Sequence, residues 1–111
     1  MDKKIKKGGI MNIEKWFERL RAEGNVADKV AFDRQVKYGP DNIGILGAKG
    51  LVPRLMDKLM RIKQAIWDGG KQDFNDEKIY DAFLDLRNYA QFGMMLLNNR
   101  WYEKGGQSED Q

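Results

Sequence analysis

The sequence contains no cysteine and no histidine. Without cysteine, the chain has no disulfide and no thiolate nucleophile. Without histidine, it lacks the commonest general base and the usual transition-metal ligand. Ser-His-Asp, Cys-His and zinc-ligand arrangements are therefore excluded. Any metal bound by this chain would be a hard, oxygen-preferring ion such as Mg²⁺, held by aspartate and glutamate.

Long apolar runs are also missing, and none approaches the roughly 18 residues of a transmembrane helix. Residues 1–11 are basic but lack an apolar core, so we expect a flexible tail there and no secretory signal. These features favour a cytoplasmic protein with no membrane partner. The net charge is only +3, and four lysines lie within the first seven residues, so nucleic acid is not an expected partner.

The remaining composition and periodicity predict an all-α fold. Hydrophobic residues make up 41% of the chain and charged residues 33%, which is typical of a folded domain. Apolar residues at helical spacing predict a single domain over residues 12–104, followed by a disordered polar tail at 105–111. We expect a small bundle of about four helices, at residues 13–22, 26–37, 51–67 and 76–101.

Glycines and caps set the expected boundaries between these helices. Asn12 caps the first helix and Gly24 ends it, while Asn25 begins a second helix that carries Val30, Phe32 and Val36. Residues 38–50 contain four glycines and a Gly-Pro pair, which predicts a long loop. That loop is interpreted either as functional or as a crossover that buries Ile43, Ile45 and Leu46.

The apolar residues of the third and last helices exceed what so small a chain can bury by itself. Leu55, Met56, Leu59, Met60, Ile62, Ile66 and Trp67 form a broad face on the third helix, and Met94 to Leu97 lie on several sides of the last one. We therefore expect the bundle to be completed by a homodimer or a higher homo-oligomer.

The last helix carries an acidic ladder, which we define as Glu77, Asp81, Asp85 and Asn88. These residues share one narrow arc between large hydrophobic side chains. One interpretation is a Mg²⁺ site formed by Glu77, Asp81, Asp85 and, from the third helix, Asp57. Asp81 and Asp85 would then be catalytic, since the metal would promote attack of water on a phosphate ester or anhydride. The alternative is that the acids favour the helix dipole and pair with arginines.

A basic row, Arg54, Lys58 and Arg61, lies on the third helix. The spacing of Asp57 and Arg61 predicts an i,i+4 ion pair on a solvated face, and the alternative is a row that faces the ladder or a phosphate. Lys49 and Arg54 flank the start of this helix, where backbone N–H groups of Gly-Ala-Lys-Gly can bind a phosphate. This segment does not match a P-loop.

Three motifs resemble a known family: K-Y-G at 37–39, K-L-M-R-I-K-Q at 58–64 and D-x-x-x-D-L-x-N-Y-A at 81–90. They are similar to small phage and bacterial nucleotide-modification-associated domains, relatives of the MazG-like all-α NTP pyrophosphohydrolases. The resemblance covers residues 28–97. It implies a dimeric helical bundle, a nucleotide ligand and a Mg²⁺ cofactor, in the host cytoplasm if the chain is phage-encoded.

The resemblance also assigns roles to residues. It implies that Asp81 and Asp85 occupy the family's acidic positions. Lys37, Tyr38 and Gly39 match its loop, and Lys58 and Arg61 match its basic helix. Tyr38 would stack on the base, and Lys37, Lys58 and Arg61 would meet phosphates. Apart from the resemblance, we expect Lys49, Arg54 and Asn88 to be further nucleotide-binding residues.

One departure bears on catalysis. MazG-like domains supply acids as E-x-x-E on one helix and E-x-x-D on the next, whereas here Met60 follows three residues after Asp57. The four-carboxylate cage is therefore incomplete, and whether the chain is an enzyme stays open.

The leading hypothesis is a nucleotide-binding MazG-like protein, with Mg²⁺-dependent hydrolysis of a nucleoside triphosphate to monophosphate and pyrophosphate as its catalytic form. The alternatives are a non-catalytic nucleotide sensor or sponge, and a helical protein-interaction module.

Overall fold

A computed structural model describes residues 12–69 and 77–102. The predicted tails at 1–11 and 105–111 lie outside these ranges, and so does most of the turn predicted at 68–75. The helices are α1 (Ile13–Tyr38), α2 (Asp41–Gly44), α3 (Gly47–Ile62) with a π-helical turn at Lys63–Trp67, and α4 (Glu77–Leu97). Strands are absent from the described residues, which confirms the predicted all-α bundle of about four helices.

The predicted break at Gly24 is wrong, because α1 is one continuous helix of 26 residues. Asn12 caps its start as expected, since its Oδ1 accepts hydrogen bonds from the N–H groups of Glu14 and Lys15 at 2.9 and 3.1 Å. The helix ends at Gly39, whose φ of +81° suits glycine. A glycine inside a helix costs only about 1 kcal/mol relative to alanine, which packing against α4 can offset.

The buried face of α1 also differs from the prediction. Phe32 and Val36 are 66% and 71% exposed, whereas Ala27 is buried and Ala31 is half-buried. In one continuous helix, the residues that face α4 recur at 27, 31, 34 and 38. The small alanines at positions 27 and 31 allow the two helices to approach closely.

The segment expected to be a loop contains α2 and the first turn of α3. Ile43 is buried together with Leu51 and Phe92, so the crossover interpretation is correct for Ile43. It is wrong for Ile45 and Leu46, which are 75% and 70% exposed.

The indole of Trp101 fixes α2 against the end of α4. Its Nε1 donates a hydrogen bond to the carbonyl oxygen of Pro40 at 3.0 Å, and its ring packs edge-on against Phe92. A Cβ at Gly44 would lie only 2.8 Å from the same Nε1. The close approach of Trp101 therefore requires glycine at position 44.

The order of contacts gives the directions of the helices. α1 and α4 run parallel, since Glu23 bonds to Tyr80 and Gln35 to Tyr102. α3 runs antiparallel to α4, and its Leu55 and Ile62 side chains are half-buried. The rest of its predicted core face, from Met56 to Trp67, is exposed in the single chain. None of the helices within the described ranges has the length and apolar character to cross a membrane.

Candidate functional site

A buried aspartate joins the three long helices. Asp85 of α4 is 7% exposed, and its Oδ1 accepts a hydrogen bond from Arg34 Nη1 of α1 at 2.6 Å. Its Oδ2 lies 3.0 Å from Lys58 Nζ of α3. Burial raises the pKa of Asp85, but the hydrogen bonds and positive charges of Arg34 and Lys58 outweigh it and lower the pKa overall. The carboxylate is therefore ionised and held by two cations.

The same contact keeps Arg34 charged. The hydrogen bond to Asp85 raises the pKa of the Arg34 guanidinium, although burial opposes that change. The charge of the nearby Asp81 adds to the effect. Arg34 is about half exposed, so one side of its guanidinium remains open to a ligand.

Asn88, one turn after Asp85, is 3% exposed and binds α1. Its Nδ2 donates to the carbonyl oxygen of Ala27 at 3.1 Å, and its Oδ1 accepts from Arg87 Nη1 at 2.8 Å. Arg87 Nη1 also pairs with Asp28 at 2.8 Å. The polar residues of α4 thus hold α1 in place beside the Asp85 contact.

Next to these contacts lies a cavity of about 400 Å³, which we call the polar cavity. Helices α1, α2, α3 and α4 all contribute to its wall. Its lining consists of Ala31, Arg34, Gln35, Tyr38, Asn42, Ile43, Arg54, Asp85, Asn88, Tyr89 and Phe92. A cavity of this size, with polar groups from several elements, falls within the range of small-molecule sites.

Arg54 is the second guanidinium in the wall. Its Nη2 donates to the carbonyl oxygen of Asn42 at 3.3 Å, and its guanidinium lies 5.9 Å from the centre of the Tyr89 ring. Within the described residues, neither contact supplies a carboxylate partner. The charge of Arg54 is therefore available to an anion.

Positive charge exceeds negative charge around the polar cavity. Arg34, Arg54 and Lys58 contribute three cations, against the carboxylates of Asp85 and the more distant Asp81. Two cations share the single carboxylate of Asp85, so their charge is only partly compensated. The electrostatics favour an anionic ligand.

Only some of the predicted nucleotide-binding residues lie at this cavity. Tyr38, Arg54 and Asn88 line it, and Lys58 is joined to it through Asp85. The others are outside its lining: Lys37, Gly39, Lys49 and Arg61. Lys37 lies over the Tyr38 ring at 5.3 Å, and Arg61 forms the predicted surface pair with Asp57 at 3.3 Å.

The carboxylates predicted to hold Mg²⁺ have basic partners or are exposed where the structure describes them. Both oxygens of Asp85 contact cations, Asp57 is occupied by Arg61 at the surface, and Asp81 is exposed. Among the described side chains, those of residues 12–69 and 78–102, no three potential ligands form a group that could hold a metal. Glu77 begins α4, and its side chain lies outside the described part of the structure. The contacts of Asp85 with Arg34 and Lys58 fit the alternative interpretation, in which the ladder pairs with basic residues.

The sequence reasoning missed four polar residues of the cavity lining: Arg34, Gln35, Asn42 and Tyr89. The signal for Arg34 and Gln35 is their helical spacing from Ala27 and Ala31, which becomes visible only if α1 is continuous through Gly24. Asn42 was hidden because the segment around it was expected to be a loop.

The chain matches no protein-family model, no curated protein and no solved structure in the comparisons made. The resemblance to MazG-like domains therefore remains a prediction from the three motifs.

Proposed function

We propose that this chain is a nucleotide-binding protein whose ligand occupies the polar cavity. The observation that carries the proposal is the presence of two guanidinium groups, Arg34 and Arg54, in one cavity. Among the described lining residues the single carboxylate, Asp85, already holds two cations. An anionic group would balance the excess charge. Planar guanidinium groups bind phosphate oxygens through paired hydrogen bonds.

The aromatic residues of the cavity support a ligand with a ring as well as a phosphate. Tyr38 is 55% exposed, and Tyr89 is half-buried between Arg54 and Phe92. Stacking of a base on an aromatic ring contributes about 1–3 kcal/mol. The side chains of Gln35 and Asn42 add hydrogen-bonding groups for the base or the sugar.

Binding is proposed here, and hydrolysis stays a prediction. Catalysis through Mg²⁺ needs oxygen ligands free to coordinate the ion. The bonds from Arg34 and Lys58 to Asp85 support a charge-balancing role for this carboxylate instead. A nucleotide sensor or sponge needs only the cavity and its cations.

The first experiment is isothermal titration of the full-length chain with nucleoside mono-, di- and triphosphates, without Mg²⁺. Unphosphorylated nucleosides and inorganic phosphate are measured alongside them. We expect a nucleotide to bind more tightly than either of its parts. At 100 times its Kd, such a ligand would stabilise the fold by about 2.7 kcal/mol, which a thermal-shift assay detects.

A matched pair of variants locates the binding. Arg54→Ala removes a cavity guanidinium and is expected to weaken binding about tenfold or more, equal to about 1.4 kcal/mol. Arg61→Ala removes the same group from α3 outside the cavity lining, where it is 65% exposed, and is expected to leave affinity unchanged. Equal effects of the two variants, or no nucleotide binding at all, would refute the proposal. Release of pyrophosphate on addition of Mg²⁺ would support the hydrolase prediction.

A further inference from the structure

The first two turns of α1 present an apolar stripe with few described neighbours: Arg21 lies 5.8 Å from the centre of the Phe17 ring, and Leu20 lines a cavity beside α4. The stripe consists of Ile13, Trp16, Phe17 and Leu20, which are between 43% and 54% exposed. These residues lie on the face of α1 that is buried at Ala27, because 20 and 27 are two full turns apart. The face that packs against α4 thus continues towards the N-terminus, where about half of each side chain stays exposed in the described part of the chain.

A second cavity, of about 610 Å³, opens where the stripe reaches α4. Leu20, Tyr80, Phe83 and Leu84 supply its apolar wall, and we call it the apolar cavity. Tyr80 and Phe83 are 43% and 49% exposed. The stripe and this cavity form one continuous apolar patch along α1 and the start of α4.

The patch is comparable to the largest apolar patches of typical monomers, which are roughly 300–600 Å² and often functional. It includes four aromatic side chains, Trp16, Phe17, Tyr80 and Phe83, each about half exposed. Since an aromatic side chain buries roughly 150–250 Å² when covered, these rings alone present about 400 Å². Ile13, Leu20 and the polar flanks bring the area towards the roughly 800 Å² that each partner buries in a standard interface. Exposed apolar patches of this size mark interaction sites.

The charges beside the stripe match a second copy of the same helix. Glu14 and Arg21 are seven residues apart and lie on the same flank of α1, at opposite ends of the stripe. A two-fold axis near Phe17 would place two α1 helices antiparallel, with each Glu14 opposite the Arg21 of the other copy. An interface of this kind is self-complementary.

We propose that this patch is the contact between two copies of the chain, with their α1 helices antiparallel. Each stripe then covers its counterpart, and the first turn of each α1 extends towards the apolar cavity of the other copy. Gly24 and Ala27 leave room there because they carry little or no side chain. The contact is separate from the polar cavity and does not depend on its ligand.

Sedimentation equilibrium of the full-length chain over a range of concentrations tests the contact. We expect a dimer in the wild type and a loss of affinity between copies of about tenfold or more for Trp16→Glu. Met56→Glu changes the exposed apolar face of α3, where Met56 is 60% exposed, and is expected to leave the dimer intact. A monomeric wild type would overturn the proposal, and so would dissociation by Met56→Glu but not by Trp16→Glu.

A charge exchange tests the antiparallel arrangement itself. Glu14→Arg and Arg21→Glu each place like charges together across the interface, so each is expected to weaken the dimer. The double variant restores opposite charges and is expected to recover most of the affinity. Glu14 and Arg21 are about 10 Å apart within one helix, so recovery requires contact between copies. Circular dichroism checks that all variants remain helical, and additive losses in the double variant would exclude this arrangement.

Discussion

Replacing Asp85 with asparagine is expected to destabilise the fold by about 2–3 kcal/mol. The carboxylate accepts from Arg34 at 2.6 Å and from Lys58 at 3.0 Å, and hydrogen bonds to charged groups contribute about 1.5–3 kcal/mol each. Asparagine keeps the size of the side chain and one acceptor oxygen, but it leaves two cations facing each other. Arg34 is half exposed and regains water, so the loss falls below the 3–5 kcal/mol of a fully buried pair.

Urea unfolding followed by circular dichroism measures this loss. Asp33→Asn is the matched control, because Asp33 is also an aspartate in an ion pair, with Lys29 at 2.8 Å, but both partners are largely exposed. Such exposed pairs contribute about 0.3–0.5 kcal/mol, so the control is expected to change stability little. Unchanged urea m-values in both variants would show that the comparison concerns stability alone.

The effect of salt also distinguishes the buried ion pairs of Asp85 from the exposed ion pair of Asp33. In 1 M NaCl the Debye length is about 3 Å, so the small effect of Asp33→Asn is expected to disappear while most of the Asp85→Asn loss remains. If Asp85→Asn costs no more than the control, or if its cost vanishes in salt, the reasoning that Asp85 is a buried tie between three helices is refuted.

Three further predictions follow from the same structure. Gly24→Ala is expected to stabilise the fold by about 0.5–1 kcal/mol, since the new Cβ would meet only Arg87 at 3.7 Å. A lower melting temperature in thermal unfolding would instead indicate the helix break predicted from the sequence. Gly44→Ala is expected to cost about 1–3 kcal/mol by overpacking against Trp101, with an altered tryptophan fluorescence as the second readout. The pKa of Asp85 is lower in the folded protein than its unfolded value of about 3.9. The stabilisation from its carboxylate is therefore complete above the unfolded pKa and is lost as pH falls through the folded pKa. The stability of Asp85→Asn is expected to fall less steeply with decreasing pH than that of the wild type, and identical acid-unfolding curves would contradict this.

The fold class was predictable because helical periodicity is local. The cap at Asn12 and the Asp57–Arg61 pair follow from spacings of two to four residues, and both are present. The continuity of α1 was not predictable, because Gly24 is a stop signal in isolation and only packing against α4 overrides it. Position 44 could not be predicted for the same reason, because it requires glycine only through its contact with Trp101, 57 positions away in the sequence.

The candidate site was predictable only in part, for a related reason. The sequence identified Asp85, Asn88, Arg54 and Tyr38, which are conspicuous on their own segments. It did not identify Arg34, because an arginine on a helix is ordinarily solvated and its bond to Asp85 spans 51 residues. Choosing between a metal and a basic partner for Asp85 required knowing that α1 and α3 bring Arg34 and Lys58 to the same carboxylate.

The same Asp85→Asn variant also distinguishes the two roles considered for this residue. If Asp85 is a metal ligand, its loss weakens any Mg²⁺-dependent binding of a nucleotide. If Asp85 is the counter-ion of Arg34 and Lys58, it competes with the ligand's phosphate for these cations, so its loss strengthens binding. Removal of one partly screened negative charge next to the phosphate is expected to improve the binding free energy by about 1 kcal/mol. This corresponds to about a fivefold lower Kd in titrations without Mg²⁺. The expected sign is therefore a gain in affinity in a less stable protein, which a merely structural role for Asp85 would not produce. A loss of affinity in the folded variant would argue against the anion-binding cavity as proposed.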